Sequence, residues 1–274
     1  MNRLAVLLPV WAWQILFVAC PMLLVAALSI SVSRLGVPPY TPLLAHPDAA
    51  NWQNLVADNY YLRAAIQSLI LASAASILCL LLGYPMALAI ARSPERWRSL
   101  LLLLVMLPFW TGFLLRITAW IGLLRNDGWL DALLGALGLP PAHLLYTPAA
   151  MLLGVAYAYL PFMILPLYAR LSRRDPALEE AAADLGAGPL TVFRTVTLPL
   201  SAPGILAGLA LVFIPAMGEY VIPELLGGPS GQTLGRALWD EFFSNRDWPM
   251  AAALATAMLA LLLAPAALLR ARSR

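Results

Sequence analysis

Six predominantly apolar stretches, each long enough for a helix that crosses a bilayer, alternate with polar segments along this chain. They run from Trp11 to Val32, Leu62 to Ala91, Leu100 to Leu124, Thr147 to Ala169, Ala202 to Leu226 and Pro249 to Leu269. The pattern predicts an all-α membrane protein with six transmembrane helices, organised as one domain over residues 1–274. The first run begins just behind Arg3, as a signal peptide does. It outlasts the roughly 7–15 apolar residues of a signal core and has no clean small-residue cleavage site, so it reads as a retained span. The connection from about Ser33 to Tyr61 is Pro-rich and polar enough to lie as a loop. No internal repeat and no separate soluble domain interrupts the pattern.

Charge then gives the spans a direction. Only 11% of the residues are charged and 62% are hydrophobic, well outside the soluble range of about 25% charged residues. Basic residues stay preferentially in cytoplasmic loops. With the N-terminus inside, one side carries 11 arginines and five acids, while the other carries six arginines and nine acids. The expected orientation is therefore N-in, C-in. This asymmetry accounts for the small net positive charge without a nucleic acid partner. All 17 basic residues are arginines. With no lysine the chain cannot carry a Walker A motif, a Schiff base or a lysine general base.

Other chemistry is sparse. Cys20 and Cys79 fall inside apolar runs and read as packing residues rather than a disulfide or metal pair. His46 and His143 lie in Pro-rich loops far from a second ligand, so no metal site is expected. No HExxH, GxSxG or paired Cys and His supports an enzyme. Tryptophans and tyrosines near the predicted span ends read as interfacial anchors in membrane lipid.

The segment from about residue 170 to 200 is too long and too patterned for a simple connector. Asp175 suits an N-cap and Pro176 the first helical position, and Leu178, Ala181, Ala182 and Leu185 share one helical face. Gly186 is a C-terminal stop. A second short helix begins near Gly188-Pro189, presents Leu190, Phe193 and Thr197, and ends at Leu198-Pro199. By periodicity alone the pair suits either a partner groove or the membrane surface.

The spacing Glu180-Ala181-Ala182, Gly186, Val196, Leu198-Pro199 resembles the EAA loop of permease subunits in binding-protein-dependent ABC importers, with Val where that family commonly has Ile. The resemblance extends from about Tyr61 onward. Leu82-Gly83-Tyr84-Pro85, Leu107-Pro108-Phe109-Trp110-Thr111, Leu160-Pro161-Phe162-Met163 and Asn245-Arg246-Asp247-Trp248-Pro249 look like the spermidine/putrescine permeases. Gly218 to Gly228 and Trp239-Asp240-Glu241-Phe242-Phe243 are most similar to the putrescine type. The resemblance implies a type I importer permease fold in the bacterial inner membrane, with a cytoplasmic coupling helix. It also implies a heterodimer of permeases, two ATP-binding subunits that hold ATP and magnesium, and a periplasmic binding protein. No cofactor belongs to this chain.

A polyamine path favours carboxylates and aromatic faces. Glu219 is the best candidate, about 18 residues or roughly 27 Å into the fifth span. Pro215, Gly218 and Pro223 flank it and favour an interrupted helix there. Trp110 and Tyr220 are candidate aromatic walls, and Arg116 is an alternative, purely structural partner for Glu219. Asp240, Glu241 and Asp247 form either a solvated outer loop or a negative patch for a cation or the binding protein. Related permeases carry aminoethylphosphonate, opines, thiamine or ferric iron, and those cargoes stay open. An ion-coupled secondary transporter is the other class, but spans one, two, four and six have no ionisable residue at midplane depth.

Overall fold

The computed structural model describes residues 3–42 and 46–272 and is helical, with no strand among the described residues. The helices are α1 (Arg3–Gln14), α2 (Cys20–Leu28), α3 (Ala50–Ala57), α4 (Asn59–Arg92), α5 (Glu95–Met106), α6 (Phe113–Leu124), α7 (Trp129–Ala136), α8 (Pro148–Leu171), α9 (Ala177–Asp184), α10 (Pro189–Val192), α11 (Leu198–Met217), α12 (Leu234–Trp239) and α13 (Trp248–Arg272). Four helices among the described residues are long and apolar enough to cross a membrane: Leu8–Ser29, Asn59–Arg92, Pro148–Leu171 and Pro189–Met217. A bent pair, Glu95–Trp110 and Phe113–Ala136, makes a fifth if taken as one span.

Several expected boundaries move, and prolines explain most of the changes. The third run is not one helix: its halves meet at 88°. Pro108 starts a 3₁₀ turn, Leu107–Trp110, and Thr111 is extended, with its hydroxyl donating to the Pro108 carbonyl at 2.7 Å. Gly112, which loses the most entropy in a helix, completes the break. The fifth run stops at Met217 instead of Leu226, where the Gly218 N–H turns back onto the Pro215 carbonyl at 3.1 Å and closes α11 in a tight turn. Conversely, Leu198-Pro199 does not end the second loop helix. A π-turn over Phe193–Thr197, closed by the Leu198 N–H on the Phe193 carbonyl, lets α10 run on into α11 through Pro199. The same device, Ile15–Ala19 ahead of Pro21, joins α1 to α2. The loop expected between Ser33 and Tyr61 contains α3 and the start of α4.

The chain packs as two units, Met1–Gln67 with Gln232–Arg274, and Ser68–Gly231. In the first, α13 packs on α2 and α3. The Asn51 amide donates to the carbonyls of Ser29 at 3.1 Å and Ser31 at 2.9 Å, satisfying backbone groups that follow α2.

In the second unit α8 and α11 form the main contact. Gly204 and Gly208, one turn apart on α11, allow it. A Cβ at Gly208 would lie 2.6 Å from the Met163 sulfur, and one at Gly204 would lie 3.0 Å from the Pro166 carbonyl oxygen. Small residues at four-residue spacing bring helix backbones together where no hydrophobic driving force separates lipid from protein. Around that seam Cys79, Tyr84 and Ala87 of α4 pack with Met163, Ile164 and Leu167 of α8. This seam positions both candidate sites.

Candidate functional site

The first site is the patterned loop. The Asp175 carboxylate accepts from the Ala177 N–H at 3.0 Å and so satisfies the start of α9. At the other end the Gly186 N–H reaches the Ala183 carbonyl at 2.9 Å and the Ala187 N–H reaches that of Ala182 at 3.1 Å. This pair of bonds is the Schellman closure, and it holds Gly186 at φ +85°. Glu180, Ala181, Leu178, Leu185 and Leu190 are all exposed, Leu185 to 89%. Thus the crest of α9 and α10 leaves Leu185 and Leu190 largely uncovered. Of the residues expected on the second helix, Phe193 turns inward onto the Tyr84 ring at 5.7 Å, and Thr197 is buried. Val196 is half-buried in the π-turn, while Leu198 and Pro199 begin α11 in exposed positions.

Sequence reasoning missed the residue that fastens this loop. Glu179, not Glu180, accepts hydrogen bonds from the Arg174 guanidinium and the Thr197 hydroxyl, and pairs with Arg92 at 3.3 Å. Arg92 ends α4 and Thr197 leads into α11. One carboxylate therefore ties α9 to two long helices. The available signal was Arg174 five residues before Glu179, but only the tertiary fold adds Thr197 and Arg92.

The second site is a cavity of about 370 Å³ lined by Phe109, Phe113, Arg116, Tyr159, Glu219 and Tyr220, among others. Glu219 is buried just past the end of α11. Its carboxylate accepts the Tyr159 hydroxyl at 2.5 Å and the N–H groups of Val221 at 3.0 Å and Ile222 at 3.3 Å. The Val221 and Ile222 donors open the turn that leads into Pro223–Gly227, where a negative charge is favoured. The Arg116 guanidinium lies over the rings of Phe109 at 5.0 Å and Phe113 at 5.6 Å. Glu219 and Tyr220 thus meet in one cavity, whereas Trp110 is 76% exposed at the helix break and does not line it. Tyr159 and Phe162 were missed as wall residues. Their signal was position beside Pro161 on a helix packed at Gly208.

In the first unit, Glu241 lines a polar cavity with Asp58, Tyr61 and Asp247. It is buried and accepts the Tyr61 hydroxyl at 2.8 Å and the Asn245 amide at 3.0 Å. Asp247 accepts the Met250 N–H at 3.0 Å near the start of α13. Both carboxylates have structural bonds within that unit.

The chain belongs to the family of binding-protein-dependent transport system inner membrane components, which its residues 10–271 match. It is therefore an inner membrane protein and a permease subunit of an ABC importer. The chain is 40% identical over 260 residues to the spermidine/putrescine transport system permease protein PotB of Haemophilus influenzae, covering 93% of this chain and 89% of that one. Against PotB of Escherichia coli K12 it is 37% identical over 252 residues, 88% of this chain and 86% of the relative. Among solved structures it shares its fold, at TM-score 0.70 and 20% identity over 95% of this chain and 89% of the other, with a bacterial alginate ABC transporter in complex with an alginate pentasaccharide-bound periplasmic protein.

Proposed function

We propose that this permease passes polyamines, putrescine or spermidine, across the inner membrane by alternating access, using energy from separate ATP-binding subunits. The observation that carries the cargo is the buried Glu219 in an aromatic cavity, in a chain similar to spermidine/putrescine permeases. A desolvated carboxylate attracts an ammonium strongly, and ring faces hold the charge and its methylene chain without trapping them.

Six spans with both termini inside fit the arginine asymmetry, with the bent pair as the third span and α13 as the sixth. That orientation puts the loop from 170 to 200 in the cytoplasm. Its exposed Leu178, Leu185 and Leu190, with Glu180, Ala181, Ala182 and Gly186, suit the groove of an ATP-binding subunit. Val196, Leu198 and Pro199 carry that motion into α11, whose far end leads to Glu219. With no lysine, the chain takes its energy from outside: two ATP-binding subunits hold ATP and magnesium. A second, related permease completes the path, and a periplasmic binding protein delivers the substrate. ATP binding draws the two coupling elements together and opens the pair outward, and hydrolysis returns it inward.

The test is ATP-driven accumulation in proteoliposomes holding this chain with its partner subunits and binding protein. Labelled putrescine and spermidine should accumulate and each should compete with the other. Accumulation of aminoethylphosphonate, thiamine or ferric iron in their place would refute the cargo.

A further inference from the structure

The Glu219 cavity already contains a cation. The Arg116 guanidinium rests on Phe109 and Phe113, inside the same walls that carry Glu219. An arginine kept for structure is normally locked by its planar fork onto carboxylates or carbonyls. Here Nε is buried and has no hydrogen-bond partner, so the group rests largely on ring faces. Such a contact is exchangeable, because another cation on the same rings replaces it in kind.

Arg116 also has somewhere to go. It lines a second cavity, of about 550 Å³, whose aromatic residues are Trp120 and Tyr157, set edge to face at 5.5 Å. On α6, Phe113 precedes Arg116 by three residues and Trp120 follows it by four. Residues at those spacings share a helix face, so one arginine can stack toward either ring by changing rotamer, without moving the helix.

We propose that Arg116 is a tethered competitor: it occupies the ammonium site of the resting cavity and withdraws to the Trp120 and Tyr157 cavity when a substrate ammonium arrives. This rests on the polyamine reading above. At rest the arginine sets a positive charge inside the walls that carry Glu219 and repels stray cations, which closes the path electrostatically in a cavity that the rings do not fill. On withdrawal its charge is sheltered by new rings while the substrate takes the carboxylate.

Proteoliposomes holding the complete transporter, loaded with labelled putrescine, test this by ATP-independent efflux alongside ATP-driven uptake. Replacing the charge in Arg116→Gln should raise efflux about tenfold and lower the accumulation plateau, the scale of losing one cation held on aromatic faces. Arg116→Lys keeps the charge but not the planar stacking, and its efflux should fall between the two. Filling the refuge with Ala119→Phe should cut uptake about tenfold while efflux stays low, since the arginine then has nowhere to withdraw. Wild-type efflux from Arg116→Gln, equal efflux from the Gln and Lys variants, or wild-type uptake by Ala119→Phe would each overturn the proposal. If Arg116→Gln does not assemble, as judged by ATP hydrolysis of the purified complex, the lysine and Ala119 variants decide. Absence of putrescine accumulation by the wild-type complex would instead sink the cargo assignment on which the proposal depends.

Discussion

Gly186 offers a sharp test of the proposed coupling element because its constraint is confined to the backbone. It sits at φ +85°, and a Cβ added there would meet nothing within 4 Å. Any cost of substitution therefore comes from the left-handed conformation, about 1–2 kcal/mol for an ordinary L-residue. Asn tolerates this region much better than Ala or Val. The helix it closes, α9, has eight residues, and a helix that short is marginal on its own. A penalty of that size shifts the population with a correctly closed loop by roughly 5–30-fold. The assay is the ratio of putrescine accumulated to ATP hydrolysed in proteoliposomes. Gly186→Asn should stay near the wild-type ratio, Gly186→Ala should fall several-fold, and Gly186→Val should fall furthest, all with normal membrane insertion. Equal ratios for the Asn, Ala and Val variants would show that the left-handed closure does not transmit energy, and would refute the reasoning.

Other perturbations address the remaining parts. Glu219→Gln should abolish most polyamine uptake while the complex still assembles. Tyr159→Phe, which removes one charge-assisted hydrogen bond of about 1.5–3 kcal/mol, should lower uptake roughly tenfold, and unchanged uptake in both variants would assign the carboxylate to structure. Glu179→Gln should loosen α9 from α4 and α11. Because every basic residue is an arginine, trypsin reports this directly: cleavage at Arg173 and Arg174 should accelerate several-fold over wild type, and identical digestion would exclude the anchoring role. Gly208→Leu forces a side chain into the Met163 contact, with an overpacking cost of about 1–3 kcal/mol or more, and should deplete the protein from membranes. Gly122→Ala, where a Cβ meets open space, should leave its level unchanged.

The loop was the most readable region, because its signals are local. Asp175 at the start of α9 and Gly186 at its end act within a few residues, and the structure uses them as capping chemistry requires. The apolar face of α9 was also legible in its spacing, but periodicity could not say whether Leu178 and Leu185 would be covered. Prolines misled in both directions. Pro199 passes inside a continuous helix because a π-turn relieves it, while Pro108 with Thr111-Gly112 breaks what looked like one span. Local rules state that a proline costs a hydrogen bond; the surrounding turn decides whether the helix absorbs that cost.

By itself the sequence determined an apolar, helical, arginine-only membrane chain with a patterned loop, since bilayer thickness and helix capping act on short stretches of consecutive residues. Only the tertiary structure chose the partners of the charged groups. Glu219 meets a tyrosine 60 positions away and Glu179 meets an arginine 87 positions away. Those meetings depend on how helices pack, and in the second unit the packing turns on Gly204 and Gly208 letting α11 approach α8. No periodicity within one segment contains that information, because a buried charge is satisfied by whatever neighbouring backbones bring to it.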